Sequence, residues 1–396
     1  MFRFIFCVLC YLTFVSLPSS TQAYVSFLTT EQIDTVKAKV QVDLDAKKAL
    51  LLLLRQADRA VAQPAKIPKE YAGLAQDYRC PNQGVLLNYD EKTGVHRCPI
   101  DNKQYSGEKL DAAQRFYVHM RNSRTTKDLG LAYALTGDNK YAATSRDILL
   151  QYAKNWSEYK TPNKDSHGHL FLQLLDETQF ATNIAWGYNL IYPTLTTAEQ
   201  QTIENDLILP LYNIIQAQRS DKISANRSWE NAASILLGFA IDNSLWYKEA
   251  IEGPLGVAEQ VDKGVLATGL WSEDPLANHY TTLSALSTVA EVAPRFGYDL
   301  TSLPKFKAMF TASLTITEPL DQPQRISAID LYELAYTWYK EPLYANYLTS
   351  TYTNPAIKVD RVSYRALFYG LPLPATKAAP IPSSPPKPLL INTEPK

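Results

Sequence analysis

Apolar residues recur at intervals of three and four along most of the chain from 111 to about 370. One such run contains positions that would share a single helix face: Leu174, Glu177, Ala181, Ile184, Ala185 and Tyr188. This spacing matches the 3.6-residue turn of an α-helix and differs from the two-residue period of a strand. An earlier helical stretch opens at Thr30 and extends to about Ala62, with Thr29 or Thr30 as its cap and the leucines 50–54 buried. The chain is therefore predicted to be mainly α-helical.

A pair of aromatic residues eight positions apart, with a turn between them, occurs three times in this helical region. The three copies are Tyr133 to Tyr141, Phe239 to Tyr247 and Tyr336 to Tyr344. Each copy predicts a hairpin of two antiparallel helices, and such hairpins bury their apolar faces only by stacking on one another. Because the copies are spaced irregularly, by about a hundred residues, they favour an (α/α) toroid, an incomplete barrel of helix hairpins, over a solenoid with a short period.

Three segments differ from this helical pattern. Residues 1–23 carry one positive charge, an apolar run and a small-residue cleavage site, which predicts a signal peptide. Residues 64–107 have Pro, Gly and Asn around short extended pieces and predict a small β-loop inserted within the toroid domain 24–370. Residues 371–396 are rich in Pro, Ser and Lys and predict a frayed end, a linker to a β-sandwich domain or a remnant of one.

Cys80 and Cys98 both lie in the predicted β-loop, and Cys7 and Cys10 leave with the signal peptide. An exported protein whose two remaining thiols close a short loop most simply has one disulfide. The β-loop is therefore expected to be stapled by a Cys80–Cys98 bond. The signal peptide predicts a secreted or periplasmic protein.

Charge and composition exclude several classes of function. The 396 residues contain 39 Lys and Arg against 40 Asp and Glu, so the chain lacks the excess positive charge that nucleic-acid binding needs. Beyond the leader, no apolar stretch is long enough to span a membrane. The 25 tyrosines suit packing between helices and contact with polar ligands such as sugars. The oligomeric state is not indicated.

Familiar signatures of cofactor and metal chemistry are absent from the sequence. It has no glycine-rich phosphate loop, no nucleophile elbow and no zinc-protease helix motif. His167 and His169 flank Gly168, but two histidines without a nearby pair of carboxylates are a weak metal signal. We therefore predict neither a metal site nor a cofactor.

Two segments place polar residues inside apolar helical patterns. In the first, 224–233, Asn226, Trp229 and Glu230 have the spacing of one helix face, although simple capping of a helix would explain the same residues. The second, 269–280, is a loop bounded by Gly and Pro that carries Trp, acidic residues, Asn, His and Tyr into an apolar helix. Loops held by a rigid helical scaffold are common places for catalytic residues.

The order of several short segments resembles the heparinase II/III-like and alginate-lyase-like polysaccharide lyases, which use an (α/α) toroid. The segments that carry this resemblance are 78–84, 96–99, 131–138, 173–177, 229–233, 264–266, 269–273 and 332–336. Together they extend over most of the chain. The resemblance implies β-elimination at an acidic sugar without a redox cofactor, and an acidic polysaccharide or oligosaccharide as the partner.

In this family a polar side chain neutralises the C5 carboxylate of the sugar, a Tyr or His removes the C5 proton, and a Tyr protonates the leaving oxygen. The resemblance therefore implies that Asn226 and Arg227 are the neutralising groups and that Tyr280 is the catalytic tyrosine. It implies that His279 is an assisting base or a substrate contact. It also implies a set of substrate-binding residues, which are Trp229, Trp271, Gln173, Glu177, Glu273 and His169. Such charge stabilisation needs fixed donors, and proton transfer needs tuned side chains.

Two alternatives stay open at this point. Many relatives have an aromatic residue where this chain has Asn278 or Thr281, and many continue into a β-sandwich, so a non-catalytic or truncated glycan-binding toroid is possible. A glycoside hydrolase on the same scaffold would need two carboxylates about 6.5–9.5 Å apart. The acidic residues available for that role are Glu177, Glu230 and Glu273.

Overall fold

The computed structural model describes residues 24–161, 168–314, 322–355 and 359–373. Its helices are α1 (Thr30–Val42), α2 (Leu44–Ala62), α3 (Glu108–Thr136), α4 (Asn139–Asn155), α5 (Leu174–Ile191), α6 (Thr197–Ile203), α7 (Leu209–Gln218), α8 (Ala225–Ala240), α9 (Ser244–Glu252), α10 (Val257–Gly264), α11 (Pro275–Val292), α12 (Pro304–Ser313), α13 (Gln322–Tyr339), α14 (Pro342–Tyr352) and α15 (Tyr364–Tyr369). The predicted signal peptide, His167 and most of the predicted tail lie outside the described residues. No helix among those described combines the length and hydropathy needed to cross a membrane.

The helices form two layers. Helix α3 packs on α5, α5 on α8, α8 on α11, and α11 on α13, which makes these five the inner row. Each of them is followed in the chain by helices that return along the outside, such as α4 after α3, α9 after α8 and α14 after α13. The predicted (α/α) toroid is confirmed, and the inner helices all run in the same direction.

The three predicted hairpins are α3–α4, α8–α9 and α13–α14, and their turns share one backbone feature. The residue directly before the N-cap of the second helix has a positive φ in each: 73° at Gly137, 57° at Asp242 and 52° at Lys340. A left-handed residue ends a helix by letting its N–H reach back to a carbonyl of the last turn. Gly137 donates in this way to the Tyr133 carbonyl oxygen at 2.7 Å, and Lys340 to that of Tyr336 at 2.8 Å.

Connections at the two ends of the ring differ in length. Where an inner helix ends, only 137–138, 241–243 and 340–341 join it to its outer partner in the three hairpins. Two of the connections that return the chain to the start of an inner helix are much longer, 156–173 before α5 and 265–274 before α11. We call the end of the ring at which α5 and α11 start the loop-bearing end.

Close packing of the inner row depends on a glycine. A Cβ atom on Gly187 of α5 would lie 2.6 Å from Cβ of Thr126 on α3, which is closer than such atoms approach in proteins. The face predicted from periodicity on α5 is buried at every position, from Leu174 to Tyr188. Other faces of α5 are buried as well, because it is an inner helix with neighbours on both sides.

The predicted N-terminal helix is broken in two. Asp43 has an extended backbone and its carboxylate accepts the N–H groups of Asp45 and Ala46, so it ends α1 and caps α2. The prediction that the leucines 50–54 are all buried is also wrong. Leu53 is buried and Leu51 is exposed. Five consecutive residues span more than one turn of an α-helix, so they cannot all lie on its buried face. The cap at Thr29 is confirmed, with Gln32 completing a capping box.

The β-loop contains a three-stranded antiparallel sheet of β1 (Asn88–Asp90), β2 (Val95–Arg97) and β3 (Gln104–Tyr105), in that order. It packs beside the start of α3 through a small apolar cluster that includes Tyr78, Leu87 and Ala113. Cys80 and Cys98 lie in this cluster as two free thiols, so the expected disulfide stays a prediction.

The gap between the first and last inner helices is closed by α2 and by the segment 359–370, which includes α15. Arg361 forms two 2.6 Å contacts with Glu333 of α13, and Arg365 contacts Glu291 of α11 at 2.6 Å. Both carboxylates are fully buried. Lys39 of α1 donates to carbonyl oxygens at the end of α15, among them that of Ala366 at 2.9 Å.

Replacing the left-handed residues of the hairpin turns should change stability in opposite directions. A side chain in this conformation costs about 1–2 kcal/mol, partly offset by the freedom that glycine gains in the unfolded chain. Lys340→Gly should therefore raise the free energy of unfolding by roughly 0.5–1 kcal/mol, and Gly137→Ala should lower it by about 1 kcal/mol. Urea denaturation of the two variants and the parent measures both changes. A Lys340→Gly protein no more stable than the parent would contradict this account of the turns.

Candidate active site

The starts of α8 and α11 are held together by two hydrogen bonds. The Ala225 N–H in the first turn of α8 donates to the Glu273 carboxylate, just before α11, at 2.8 Å. The Trp229 indole N–H donates to the carbonyl oxygen of Thr281 at 3.0 Å. These contacts bring the two polar segments singled out in the sequence into one site at the loop-bearing end of the ring.

Two predicted site residues, Asn226 and Tyr280, keep exposed surface in this region. Asn226 is exposed in the first turn of α8, beside the cap formed by Ser224. Tyr280 is half-buried and its hydroxyl donates to the Ser313 carbonyl oxygen at 3.0 Å. Burial raises the pKa of Tyr280 to about 12, so the hydroxyl keeps its proton at neutral pH. Half-buried Trp229 lies on the same face of α8 as Asn226, three positions further along.

His279 lies beneath this surface and is fully buried. Its Nδ1 accepts the Trp271 N–H at 3.1 Å, while its Nε2 lies 3.1 Å from the Met309 carbonyl oxygen and 2.9 Å from Ser313 Oγ. Burial lowers the pKa of the ring to about 4, so it is neutral at neutral pH. In this conformation both ring nitrogens are used to hold the loop before α11 and the end of α12.

Arg227 points away from the exposed side of α8. Its guanidinium donates to the carbonyl oxygens of Leu255, Pro254 and Ser220 at 3.0–3.2 Å, and it is buried. Buried Glu230 accepts the Ser220 N–H at 2.8 Å. Together these two side chains hold the main chain around the start of α8.

A second cluster lies at the start of α5. Glu177 is fully buried, and its carboxylate accepts the N–H groups of His169, Leu170 and Phe171 at 3.0–3.1 Å. Burial raises the pKa of Glu177 to about 7, although these three donors oppose the shift. His169 is half-buried and hydrogen bonds to the Trp156 carbonyl oxygen at 2.8 Å. Gln173 is exposed directly before α5.

The structure thus separates the predicted residues into two layers. The residues with surface available to a ligand are Asn226, Tyr280, Trp229, Glu273, Gln173 and His169. The residues buried beneath them are Arg227, His279, Trp271 and Glu177. The buried residues cannot contact a sugar without a rearrangement of the loops that they hold.

Ser313 was missed by the sequence reasoning, yet it contacts both His279 and Tyr280. It ends α12, a helix with no polar pattern of its own, and nothing in its neighbourhood along the chain points to the site.

Among the described residues, one group of potential metal ligands is close enough to share an ion, and it lies in the β-loop rather than at the candidate active site.

The sequence model of the family described as alginate lyase matches residues 56–320. The chain is 28% identical over 176 residues to an exo-oligoalginate lyase of Saccharophagus degradans. The matched segment makes up 42% of this chain and 24% of that protein. It is 26% identical over 173 residues to an alginate lyase of Stenotrophomonas maltophilia, or 41% of this chain and 23% of that protein. The matched part is about a quarter of the length of these relatives.

Solved structures support the fold. An alginate lyase from Bacteroides ovatus superposes with a TM-score of 0.63 at 15% identity, over 88% of this chain and all of that one. Alginate lyase A1-III from a Sphingomonas species gives a TM-score of 0.51 at 15% identity, over 78% of this chain and 87% of that one. A variant of A1-III complexed with a tetrasaccharide gives a TM-score of 0.52 at 14% identity. That superposition covers 80% of this chain and 88% of the variant.

The buried ring of His279 should make the protein less stable in acid. Its folded pKa of about 4 lies below the ordinary 6.5, so protons bind the unfolded chain first as the pH falls. The stabilisation from the neutral ring is complete above pH 6.5 and is lost towards pH 4. The stability advantage of the parent over His279→Gln should therefore shrink by up to about 3 kcal/mol between pH 7 and pH 4. Urea denaturation across this range measures the difference.

Asn231→Ala is the matched control, because this buried amide donates to the Leu255 carbonyl oxygen at 2.7 Å and does not titrate. Its cost in stability should be the same at both pH values. A constant difference between the parent and His279→Gln over the same range would contradict the proposed burial of a neutral ring.

Proposed function

Because this chain belongs to the alginate lyase family, we propose that it cleaves uronic-acid-containing polysaccharides, alginate-like or glycosaminoglycan-like, by β-elimination. The observation that supports this proposal is the joining of the α8 and α11 starts by two hydrogen bonds, because Asn226, Trp229 and Tyr280 all belong to these two helices. We also propose that the protein is exported, on the strength of the predicted signal peptide.

Asn226 is the proposed group that neutralises the C5 carboxylate. The start of a helix carries a partial positive charge from its free N–H groups, and Asn226 adds an amide donor to it. Neutralising the carboxylate makes the C5 proton more acidic, because the negative charge that develops in the transition state is delocalised onto the carboxylate. Arg227, which is buried against three carbonyl groups, acts as a positioning residue for this turn.

Tyr280 is the proposed acid of the reaction. In β-elimination a base removes the C5 proton, the bond between C4 and the glycosidic oxygen breaks, and that oxygen must receive a proton. A hydroxyl with a raised pKa of about 12 still carries its proton when the substrate binds. Its hydrogen bond to the Ser313 carbonyl oxygen holds the ring at the surface before the proton is given up.

His279 is the proposed base, and the structure sets a condition on that role. Its lowered pKa leaves the ring neutral, which is the form that accepts a proton. Its Nδ1 lone pair, however, accepts the Trp271 N–H. The ring can act only if substrate binding displaces this loop. The other exposed residues, Trp229, Gln173, Glu273 and His169, are proposed substrate contacts.

A non-catalytic glycan-binding toroid is the second candidate, and the full burial of His279 is the observation that favours it. The hydrolase alternative has less support. Of the three acids offered for it, Glu177 and Glu230 are buried and accept main-chain N–H groups, so they do not face a common cleft as a free pair.

Ultraviolet absorbance tests the reaction directly, because β-elimination creates a C4–C5 double bond and hydrolysis creates none. The mature protein should produce a rising absorbance with alginate, or with heparin-type, chondroitin-type or pectic substrates. Tyr280→Phe should lower the rate at least about a hundredfold, in line with loss of a general acid. Its cost in stability should be only about 1 kcal/mol, since a single hydrogen bond is lost.

Tyr159→Phe is the matched control for this change. Its hydroxyl also donates to a carbonyl oxygen, that of Pro68 at 2.9 Å, but it is fully buried and does not contact Tyr280. This variant should keep most of the activity. Equal activity in Tyr280→Phe and the parent would remove Tyr280 from the mechanism. Flat absorbance on every polymer, together with measurable binding, would favour the glycan-binding candidate.

A further inference from the structure

Two turns in the β-loop share an unusual geometry. Cys80 and Cys98 are each followed by Pro, and the fourth residue after each cysteine has a positive φ: 65° at Gly84 and 58° at Asn102. In each turn that residue donates its N–H to the cysteine carbonyl oxygen, at 2.8 Å for Gly84 and 3.0 Å for Asn102. The chain thus uses the same five-residue turn twice, with a cysteine at the first position of each.

A hydrogen-bonding group lies beside one of the two sulfur atoms. The Tyr105 hydroxyl lies 3.6 Å from Cys80 Sγ. A neutral sulfur is a weak acceptor, whereas a thiolate is a strong one. The Tyr105 hydroxyl is therefore placed where it can donate to Cys80 as a thiolate.

The two turns meet. Cys80 Sγ, Cys98 Sγ and a carboxylate oxygen of Asp101 all lie within 4.8 Å of one another. Both cysteines are at most 1% exposed, while the Asp101 side chain keeps 22% of its surface in solvent. Ligands of a tetrahedral zinc ion, at about 2.3 Å for sulfur and about 2.0–2.2 Å for oxygen, are themselves separated by less than 4 Å. Small movements of these three side chains would therefore complete such a site.

We propose that Cys80, Cys98 and Asp101 bind a divalent metal ion, with zinc as the best match to two sulfur ligands and one oxygen ligand. Asp101 stands three residues after Cys98, and Gln83 stands three residues after Cys80. In many zinc sites each of two turns supplies a cysteine and a second ligand three residues after it. Asp101 has this position in the second turn. The partly exposed side of Asp101 is where a water molecule can supply the fourth ligand.

The proposed ion replaces the disulfide expected from the sequence, and it explains more of the structure. A disulfide would use the two sulfur atoms but would give no role to Asp101 or to the Tyr105 hydroxyl. A metal ion uses all of them, since thiolates are the form that binds it. The site would fix the β-loop beside α3, where His96 of β2 hydrogen bonds to Asp111 at 2.8 Å. It is independent of the proposed reaction.

Elemental analysis of the full mature chain tests this proposal without any activity assay. After purification under reducing conditions, incubation with zinc and removal of free ions, we expect about one zinc per chain. In denaturant, two thiols should react with a thiol reagent, and before denaturation they should react only after a strong chelator is added. A protein with no reactive thiols in denaturant and a mass two hydrogens lower has a disulfide and would overturn the proposal. So would two free thiols without stoichiometric zinc.

Asp101→Asn separates a metal site from a pair of nearby thiols, and it leaves both cysteines in place in case their replacement prevents folding. Its zinc affinity, measured by competition with a chelating dye, should fall at least about tenfold. Asp90→Asn is the matched control. Asp90 accepts the N–H of Lys92 at 2.9 Å just as Asp101 accepts that of Lys103 at 3.1 Å, but Asp90 lies outside the sulfur cluster. Equal affinity in these two variants would overturn the assignment of Asp101.

Discussion

Two buried ion pairs close the ring and set the condition under which the rest of it can pack. The inner row begins with α3 and ends with α13, and the space between them is filled by α2 and the segment 359–370. Arg361 and Arg365 in this segment face Glu333 and Glu291, which are fully buried. A buried carboxylate that loses its partner costs several kcal/mol. The segment therefore cannot leave the ring without a large penalty, to which its buried apolar residues, such as Leu367, also contribute.

Buried charged side chains with hydrogen-bonding partners also fix the candidate site. Glu177, Glu230 and Arg227 are polar side chains that the fold buries, and each is satisfied by main-chain groups of a neighbouring loop. These contacts convert irregular loops into fixed surfaces. Asn226 and Tyr280 stand on such surfaces, so the groups proposed to meet the substrate owe their positions to residues that need not touch it.

Periodicity and turn chemistry made the ring predictable from the sequence. The hairpins were visible because aromatic residues flank each turn, and their left-handed residues, such as Gly137, stand where helices end. The break at Asp43 was missed because a capping aspartate looks like any polar residue on a helix. The burial of Arg227 and His279 could not be foreseen either, since a sequence gives the type of a side chain and not the loop it faces. Ser313 carried no local signal at all.

The unequal connections at the two ends of the ring have a consequence for how such a protein can change over time. The turns 137–138 and 340–341 have no spare residue, so an insertion there would rotate an outer helix away from its partner. Loops such as 156–173 and 265–274 join helices whose positions are already secured by packing. They can lengthen, shorten or acquire new side chains at little cost to the ring. Variation in the residues proposed to meet a substrate can therefore accumulate in these loops while the three hairpin turns keep their length.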